Sequence, residues 1–285
     1  MSFDQIPRRI VSLQPSITVV LERIGALDRL VACTKYCVEL YPEIARGRLI
    51  VEDSWTASAV QITAAKPDLV IASVPYQEKA VSEILKSGVP VLVLAPHSLA
   101  DIYTDIVLVA GAVACPQRGE QLVAEMEGEI EHMRSQTKAL SRARVFCEEW
   151  GKPIIASQSW VRELVEAAGG EFLGQPGKQI PEDAIRAQDP DVLVSAWCGA
   201  GDRVPLAKII RTRNWENVKA VREQRVYCIR DEYLNTPAPT LLRGLRALAA
   251  ALHPEHFPAV PGLRCISDIS GDEPRATRVP DSRVG

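Results

Sequence analysis

The feature that most constrains the fold is a long amphipathic segment near the middle of the chain, from Pro116 to about Arg142. Its apolar residues recur at every third or fourth position with charged residues between them, at Leu122, Val123, Met126, Ile130, Met133 and Leu140. This spacing predicts an α-helix with one buried face, and Pro116 suits its first turn. At about 1.5 Å per residue the helix would span roughly 40 Å, enough to join two lobes. A long surface helix of a single domain is the alternative.

The segments on the two sides of this helix follow the same plan. ITAAKPDLVIAS (62–73) reads as a helical turn, Pro-Asp and a buried strand, and PEDAIRAQDPDVLVSAW (181–197) repeats that order. VPVLVLAP (89–96) and QRVYCI (224–229) are the strands that follow in each half. Alternating strands and helices with short links predict an α/β fold with a parallel sheet in each half.

We therefore expect an N-terminal α/β lobe over residues 1–115, a linking helix over 116–142 and a C-terminal α/β lobe over 143–258. Residues 259–285 are rich in Pro, Gly and Ser and show no periodicity, so an irregular tail is expected there. TKYCVELYPE (34–43) is polar and aromatic, and a loop is expected for it.

The composition excludes several functional classes. The chain has 285 residues, is 47% hydrophobic and has a net charge of −3, which is ordinary for a globular protein and gives no general attraction to nucleic acid or anionic membranes. Neither a secretory signal nor a membrane span is visible near the N-terminus, so a cytoplasmic location is expected, or a periplasmic one if the sequence is a processed form. The seven cysteines are expected to be free thiols, and the pair Cys33 and Cys37 lacks the partners of a zinc site.

The common enzyme motifs are missing. The sequence contains no Walker loop, no GxGxxG after the first strand, no GxSxG and no HExxH. The residues that remain for an enzymatic reading are His97, which follows a strand, and Cys37.

Aromatic and small polar residues instead follow the predicted strands of both halves. Ligands of parallel sheets bind at the carboxyl ends of the strands, and Pro15-Ser16, Tyr36-Cys37, Trp197 and Tyr233 fall there. Aromatic walls that face each other across a cleft would suit a large, partly apolar ligand.

The order of motifs from residue 8 to 254 resembles the helical-backbone (class III) substrate-binding proteins of ABC importers, and most of all the cobalamin-binding branch. The resemblance is carried by RIVSLQPSIT, ITAAKPDLVIAS, the long helix, CEEW, SWVRELVEAAGG, RVYCI and TLLRGLRALAAALHP. It implies two Rossmann-like lobes joined by one rigid helix, with a corrinoid, haem or ferric chelate between them. No cofactor and no protein ligand to the chelated metal are implied.

The resemblance also implies positions for the site. Relatives have an aromatic residue where this chain has Ser73, and Tyr76 is expected to replace it. The ligand-binding residues expected from the resemblance are Pro15, Ser16, Tyr36, Cys37, Ser73, Pro75, Tyr76, Trp160, Trp197 and Tyr233. Trp55, in the predicted loop VEDSW, is expected to bind the ligand as well, as an exposed aromatic ring. Glu78 and Asp202 lie near the positions from which relatives present acidic residues to arginines of the membrane permease.

The sequence thus predicts a non-enzymatic protein that binds a cobalamin-like corrinoid between two lobes, with an ABC permease as a partner. The alternatives are a ferric siderophore or haem carrier that uses Arg203, Arg211 and Arg213 for an anionic chelate, a cytoplasmic enzyme or chaperone acting on a corrinoid through Cys37 or His97, and a scaffold with a filled cleft.

Overall fold

The computed structural model describes residues 6–75 and 77–269. The first half contains five strands and five α-helices. The strands are β1 (Ile10–Ser12), β2 (Leu30–Thr34), β3 (Leu49–Val51), β4 (Leu69–Ser73) and β5 (Val91–Leu94). The helices are α1 (Pro15–Arg23), α2 (Lys35–Leu40), α3 (Ala59–Ala64), α4 (Glu78–Lys86) and α5 (Leu99–Ala112).

A single helix, α6 (Pro116–Thr137), leads to the second half. The strands there are β6 (Ala143–Gly151), β7 (Ile154–Ala156), β8 (Gly170–Phe172), β9 (Val192–Ser195), β10 (Val226–Ile229) and β11 (Leu263–Cys265). The helices are α7 (Ser159–Ala167), α8 (Glu182–Gln188), α9 (Leu206–Arg213), α10 (Lys219–Arg222), α11 (Glu232–Asn235) and α12 (Leu241–Leu252).

Each half contains one sheet. The first has the order β3-β2-β1-β4-β5 with all neighbours parallel. The second has the order β11-β10-β9-β6-β7, and β8 pairs with the first part of β6. Its central strands are parallel, whereas β7 and β11 are antiparallel to their neighbours. The α/β fold with two mainly parallel sheets is therefore confirmed.

Helix α6 connects the two sheets and is buried along one face. Leu122, Met126, Ile130 and Met133 are buried, as the periodicity predicts. The helix is continuous through Gly128. Its apolar face belongs to one core that includes side chains of both halves, among them Ile106 of α5 and Leu164 of α7. The two halves are thus joined by shared packing as well as by the chain.

The first turn of α6 lies very close to α5. A Cβ atom built on Gly119 would be 2.4 Å from the Cβ of Ala110, so only glycine fits at this crossing. Exposed ion pairs add one contact from each half, from Arg23 to Glu125 at 3.2 Å and from Arg246 to Glu129 at 2.7 Å. Pairs of this kind contribute little to stability, so the apolar face of α6 sets the geometry.

Three local expectations were wrong. Residues 35–40 form helix α2 rather than a loop, because the Thr34 side chain accepts the N–H of Cys37 and caps the first turn. The linking helix ends at Thr137, not Arg142; the Thr137 hydroxyl donates to the carbonyl of Ala167 in α7 at 2.9 Å. Residues 263–265 of the expected irregular tail form β11 on the free edge of β10, and residues 270–285 lie outside the described residues.

Because Met126 is fully buried between the halves, we expect Met126→Ala to lower the free energy of unfolding by about 2–5 kcal/mol. Urea unfolding followed by circular dichroism measures the change. Glu120→Ala on the exposed face of the same helix is the control and should change the free energy by less than about 0.5 kcal/mol. Equal effects of the two variants would contradict the buried face described here.

Candidate functional site

A cavity of about 790 Å³ lies between the two halves, at the carboxyl ends of strands from both sheets. Residues of the first half that line it include Gln14, Pro15, Ser16, Tyr36, Trp55 and Pro75. Residues of the second half that line it include Trp150, Cys198, Gly199, Arg203, Asp231 and Asn235. We call this cavity the cleft. Its position agrees with the rule that ligands of parallel sheets bind beyond the strand ends.

The first wall is built on the turns after β1 and β3. Pro15 and Ser16 lie in the first turn of α1, and the Ser12 hydroxyl donates to the carbonyl of Gln14 at 2.9 Å. Trp55 is 44% exposed, and its turn is held by Asp53, whose carboxylate accepts the N–H groups of Trp55 at 3.0 Å and Thr56 at 3.1 Å. A large exposed indole on an ordered turn provides a flat apolar surface for a ligand.

The second wall is a loop, residues 198–201, that is held by two polar side chains. The carboxylate of Asp231 accepts the N–H groups of Gly199 and Gly201, each at 2.7 Å. The side-chain amide of Asn235 donates to the carbonyl of Ala196 at 2.7 Å and to the sulfur of Cys198 at 3.3 Å. Gly199 and Gly201 both have positive φ angles, which glycine adopts most readily. These hydrogen bonds therefore fix this wall, together with the packing of Ala200 against the neighbouring apolar core.

Burial raises the pKa of the Asp231 carboxyl to about 6, and the two backbone N–H groups oppose this shift only partly. Burial, together with the negative charges of Glu149 and Asp231, also raises the pKa of the Cys198 thiol. Cys198 is therefore a neutral thiol in the cleft at neutral pH.

The charged residues that line the cleft are mostly acidic. The cations are Lys35, Arg203 and Arg230, and the anions are Glu39, Glu52, Asp53, Asp231 and Glu232. The Arg230 guanidinium donates to Glu232 at 3.2 Å, so this cation and this anion neutralise each other. The remaining charges give the cleft an excess of negative charge.

The structure places five of the expected ligand-binding residues on the cleft: Pro15, Ser16, Tyr36, Trp55 and Pro75. Tyr76 lies outside the described residues. Glu78 at the start of α4 and Asp202 in the loop after β9 are exposed on different halves, and their docking role stays a prediction.

The other five do not line the cleft. Trp160 is only 5% exposed, because its indole N–H donates to the carbonyl of Leu234 at 2.8 Å inside the core. Cys37 and Ser73 are also buried, and Tyr233 packs under the guanidinium of Arg243. Trp197 lines a neighbouring pocket of the C-terminal half. Strand-end position does not determine which way a side chain points, and a ligand-binding role for these five residues stays a prediction.

Cys37 nevertheless has an unusual environment. Burial raises the pKa of its thiol, but hydrogen bonds from Cys33, Thr18 and Thr34 outweigh that effect and lower the pKa. The Thr18 hydroxyl is 3.1 Å from the Cys37 sulfur. The sulfur is fully buried, so it has no access to a molecule in the cleft.

Sequence reasoning did not identify Asp231 or Asp53 as site residues. Asp231 is the second residue after β10, and the strand-end rule applied to every polar residue would have included it. Asp53 acts through the turn that it holds, which the Asp-Ser-Trp sequence alone does not reveal.

Within residues 6–75 and 77–269, no three His, Cys, Asp or Glu side chains converge in a way that could hold a metal ion. No helix in that same part of the chain combines the length and the apolar character needed to cross a membrane.

Two α/β halves joined by one helix, with a cleft at their facing strand ends, define a two-lobed ligand-binding protein. The chain belongs to the periplasmic binding protein family, whose sequence pattern matches residues 10–233. The resemblance seen in the sequence is thereby confirmed.

Similar proteins include an uncharacterized ABC transporter substrate-binding lipoprotein of Bacillus subtilis, which is 25% identical over 88% of this chain and 82% of its own length. The vitamin B12-binding protein of Vibrio parahaemolyticus is 25% identical over 88% of this chain and 90% of its own length. Each of these relatives is named as a binding protein.

Two solved structures have the same fold. A periplasmic heme-binding protein from Pseudomonas aeruginosa superimposes with a TM-score of 0.80 at 20% identity, covering 91% of this chain and 98% of its own. The vitamin B12-binding protein of Vibrio cholerae gives a TM-score of 0.71 at 23% identity, covering 87% and 98%.

The raised pKa of Asp231 predicts a pH dependence of stability. In the unfolded chain an aspartate ionises near pH 4, whereas in the folded protein Asp231 ionises near pH 6. Between these values the folded state binds more protons, so this group makes the free energy of unfolding fall as pH rises from about 4 to 6. Asp231→Asn should lack that contribution.

Urea unfolding of both proteins between pH 4 and 7 provides the test. Subtracting the free energy of unfolding of Asp231→Asn from that of the wild type removes the contributions of the other titrating groups. This difference should decline as pH rises through the window and then level off. A difference that grows with pH would mean that the ionised carboxylate stabilises the fold, contrary to the burial described here.

Proposed function

We propose that this protein binds a cobalamin-like corrinoid in the cleft, without catalysis, and presents it to an ABC permease. The observation that carries the proposal is the combination of an exposed indole wall with an excess of negative charge. Trp55 offers a flat apolar surface, while Glu39, Glu52, Asp53 and Asp231 outnumber Lys35 and Arg203.

The charge balance discriminates between classes of chelate. A corrinoid carries uncharged amide side chains around its ring and is neutral or cationic overall, whereas haem carries propionates and many ferric siderophores are anionic. Charges in a partly desolvated cleft interact more strongly than in water, so surplus carboxylates disfavour an anionic ligand. The vitamin B12-binding relatives support the same ligand class.

A haem or ferric siderophore is the second candidate, because Tyr36 and Arg203 both line the cleft. A tyrosinate is one of the residues that ligate haem iron in proteins. Arg211 and Arg213 give this candidate no support. Arg211 does not line the cleft, and Arg213 is buried against Glu148 at 2.7 Å.

An enzymatic role has less support than binding. A reactive group must reach the substrate, and the Cys37 sulfur is fully buried. His97 is exposed but lies outside the residues that line the cleft. A cleft filled by its own side chains is also disfavoured, since the open volume is about 790 Å³.

Titration of the protein with cyanocobalamin, cobinamide, hemin and a ferric siderophore tests the assignment, with calorimetry and tryptophan emission as readouts. We expect saturable binding of the two corrinoids, quenching of emission and a raised melting temperature. Binding of hemin or the siderophore alone would overturn the corrinoid assignment in favour of the second candidate, and no response to any of them would overturn both.

Trp55→Ala should weaken cyanocobalamin binding by about fivefold or more, since loss of a stacked aromatic surface costs roughly 1–3 kcal/mol. The melting temperature should change little, because the indole is largely exposed. Leu85→Ala on the exposed face of α4 is the control and should bind as wild type. Unchanged affinity in Trp55→Ala would show that the Trp55 indole does not contact the ligand.

Glu39→Gln tests the contribution of charge to ligand selection separately from the contribution of shape. The change removes one cleft carboxylate, so binding of an anionic chelate such as hemin should tighten, by about two- to fivefold at low salt. Affinity for neutral cyanocobalamin should stay within about twofold. Calorimetry at low and high salt measures both, and equal shifts for the two ligands would contradict the electrostatic selection.

The permease contact proposed for Glu78 and Asp202 rests on their exposure and on their placement in different halves. Replacing both with Lys should abolish ligand-stimulated ATP hydrolysis by the cognate permease and leave cyanocobalamin binding unchanged. Stimulation that survives both substitutions would exclude these residues from docking.

A further inference from the structure

The C-terminal half contains a second pocket whose volume, about 780 Å³, is nearly that of the cleft. It lies between the β6–β7 turn, residues 179–182 at the start of α8, and helix α9. We call it the lateral pocket. None of the residues named for the first wall of the cleft takes part in it, so it belongs to one half alone.

The floor of the lateral pocket is apolar and electrically neutral. Ile154 and Ile209 are buried below it, and Trp197 contributes an indole face. The Arg213 guanidinium donates to both oxygens of Glu148 at 2.8 and 2.7 Å, and to the carbonyl of Gly151 at 2.8 Å. This buried pair is satisfied internally, so Arg213 supplies no free charge to a bound molecule.

One wall of the lateral pocket is a fixed indole. Trp150 is 46% exposed, yet its N–H donates to the carbonyl of Lys152 at 3.1 Å, which holds the ring in place. Trp150, Cys198 and Gly199 line the cleft as well, so this ring separates the two spaces. A large apolar surface that is ordered but left open to solvent is typical of ligand sites.

The charges at the edge of the lateral pocket have the opposite sign from those of the cleft. Lys152 and Lys208 line it, and both are exposed. Within the described residues neither lysine has a carboxylate within 4.0 Å. The acidic residue at the edge is Glu182, whose carboxylate lies 4.0 Å from the Arg213 guanidinium. Because Arg213 is paired with Glu148, the charges left at the edge of the pocket are those of two lysines and one glutamate, which give a net positive charge.

We propose that the lateral pocket is a second binding site, for an apolar organic anion. The hydrocarbon or aromatic part of such a molecule would lie on Ile154, Ile209 and the indoles of Trp150 and Trp197. Its carboxylate, sulfonate or phosphate would face Lys152 and Lys208. A neutral molecule would leave both lysines without a counter-charge, and a small inorganic anion would leave the apolar floor exposed. This proposal does not rest on the function proposed for the cleft, although Trp150, Cys198 and Gly199 line both spaces.

Two fluorescent probes of similar shape and different charge test the proposal on the full chain. The anion is 1-anilinonaphthalene-8-sulfonate, and the neutral probe is N-phenyl-1-naphthylamine. We expect one molecule of the anion to bind per chain with increased emission. The double variant Lys152→Gln/Lys208→Gln should bind the anion about tenfold more weakly, and the neutral probe within about twofold of wild type.

Two further variants locate the site. Lys35→Gln removes a lysine from the cleft and is the matched control, which should leave binding of the anion unchanged. Thr212→Trp places a bulky ring in the lateral pocket and should abolish binding of both probes. Thermal unfolding checks that each variant is folded. Wild-type affinity in the double variant, or weaker binding in Lys35→Gln alone, would overturn the proposal.

Discussion

The packing of α6 against helices of both halves determines the geometry of this protein. The apolar face of α6 belongs to a core that contains side chains of both halves, and the close crossing at Gly119 fixes α6 against α5. Because close-packed interiors resist deformation, the distance between the strand ends of the two halves is set by this core. The cleft therefore exists as a formed space before any ligand enters it.

Much of this arrangement could be predicted from the sequence. The spacing of Leu122, Met126, Ile130 and Met133 identified the buried face of α6, and the repeated Pro-Asp strand pattern identified the two sheets. Both signals are local and periodic, and burial of an apolar face is what produces them. The two antiparallel edge strands were missed, since β7 and β11 are three residues long and have no period of their own.

The site was predicted less well, for a physical reason. The sequence shows that Trp160 and Cys37 lie near strand ends, but the direction of each side chain depends on distant partners. Trp160 points inward because it meets the carbonyl of Leu234, 74 residues away, and Cys37 does so because Thr34 starts a helix there. Asp231 was missed because its importance comes from the backbone N–H groups that it holds, which composition does not reveal.

The shared core also has a kinetic consequence. Binding to a cleft that is already formed would add no conformational step to the encounter, so association would be limited by diffusion and by the orientation of the incoming molecule. Differences in affinity between ligands would then arise almost wholly from differences in their dissociation rates. A tightly bound ligand would therefore dissociate slowly unless an external force acted on the outer surface of the lobes. Helix α6 would transmit such a force from one lobe to the other.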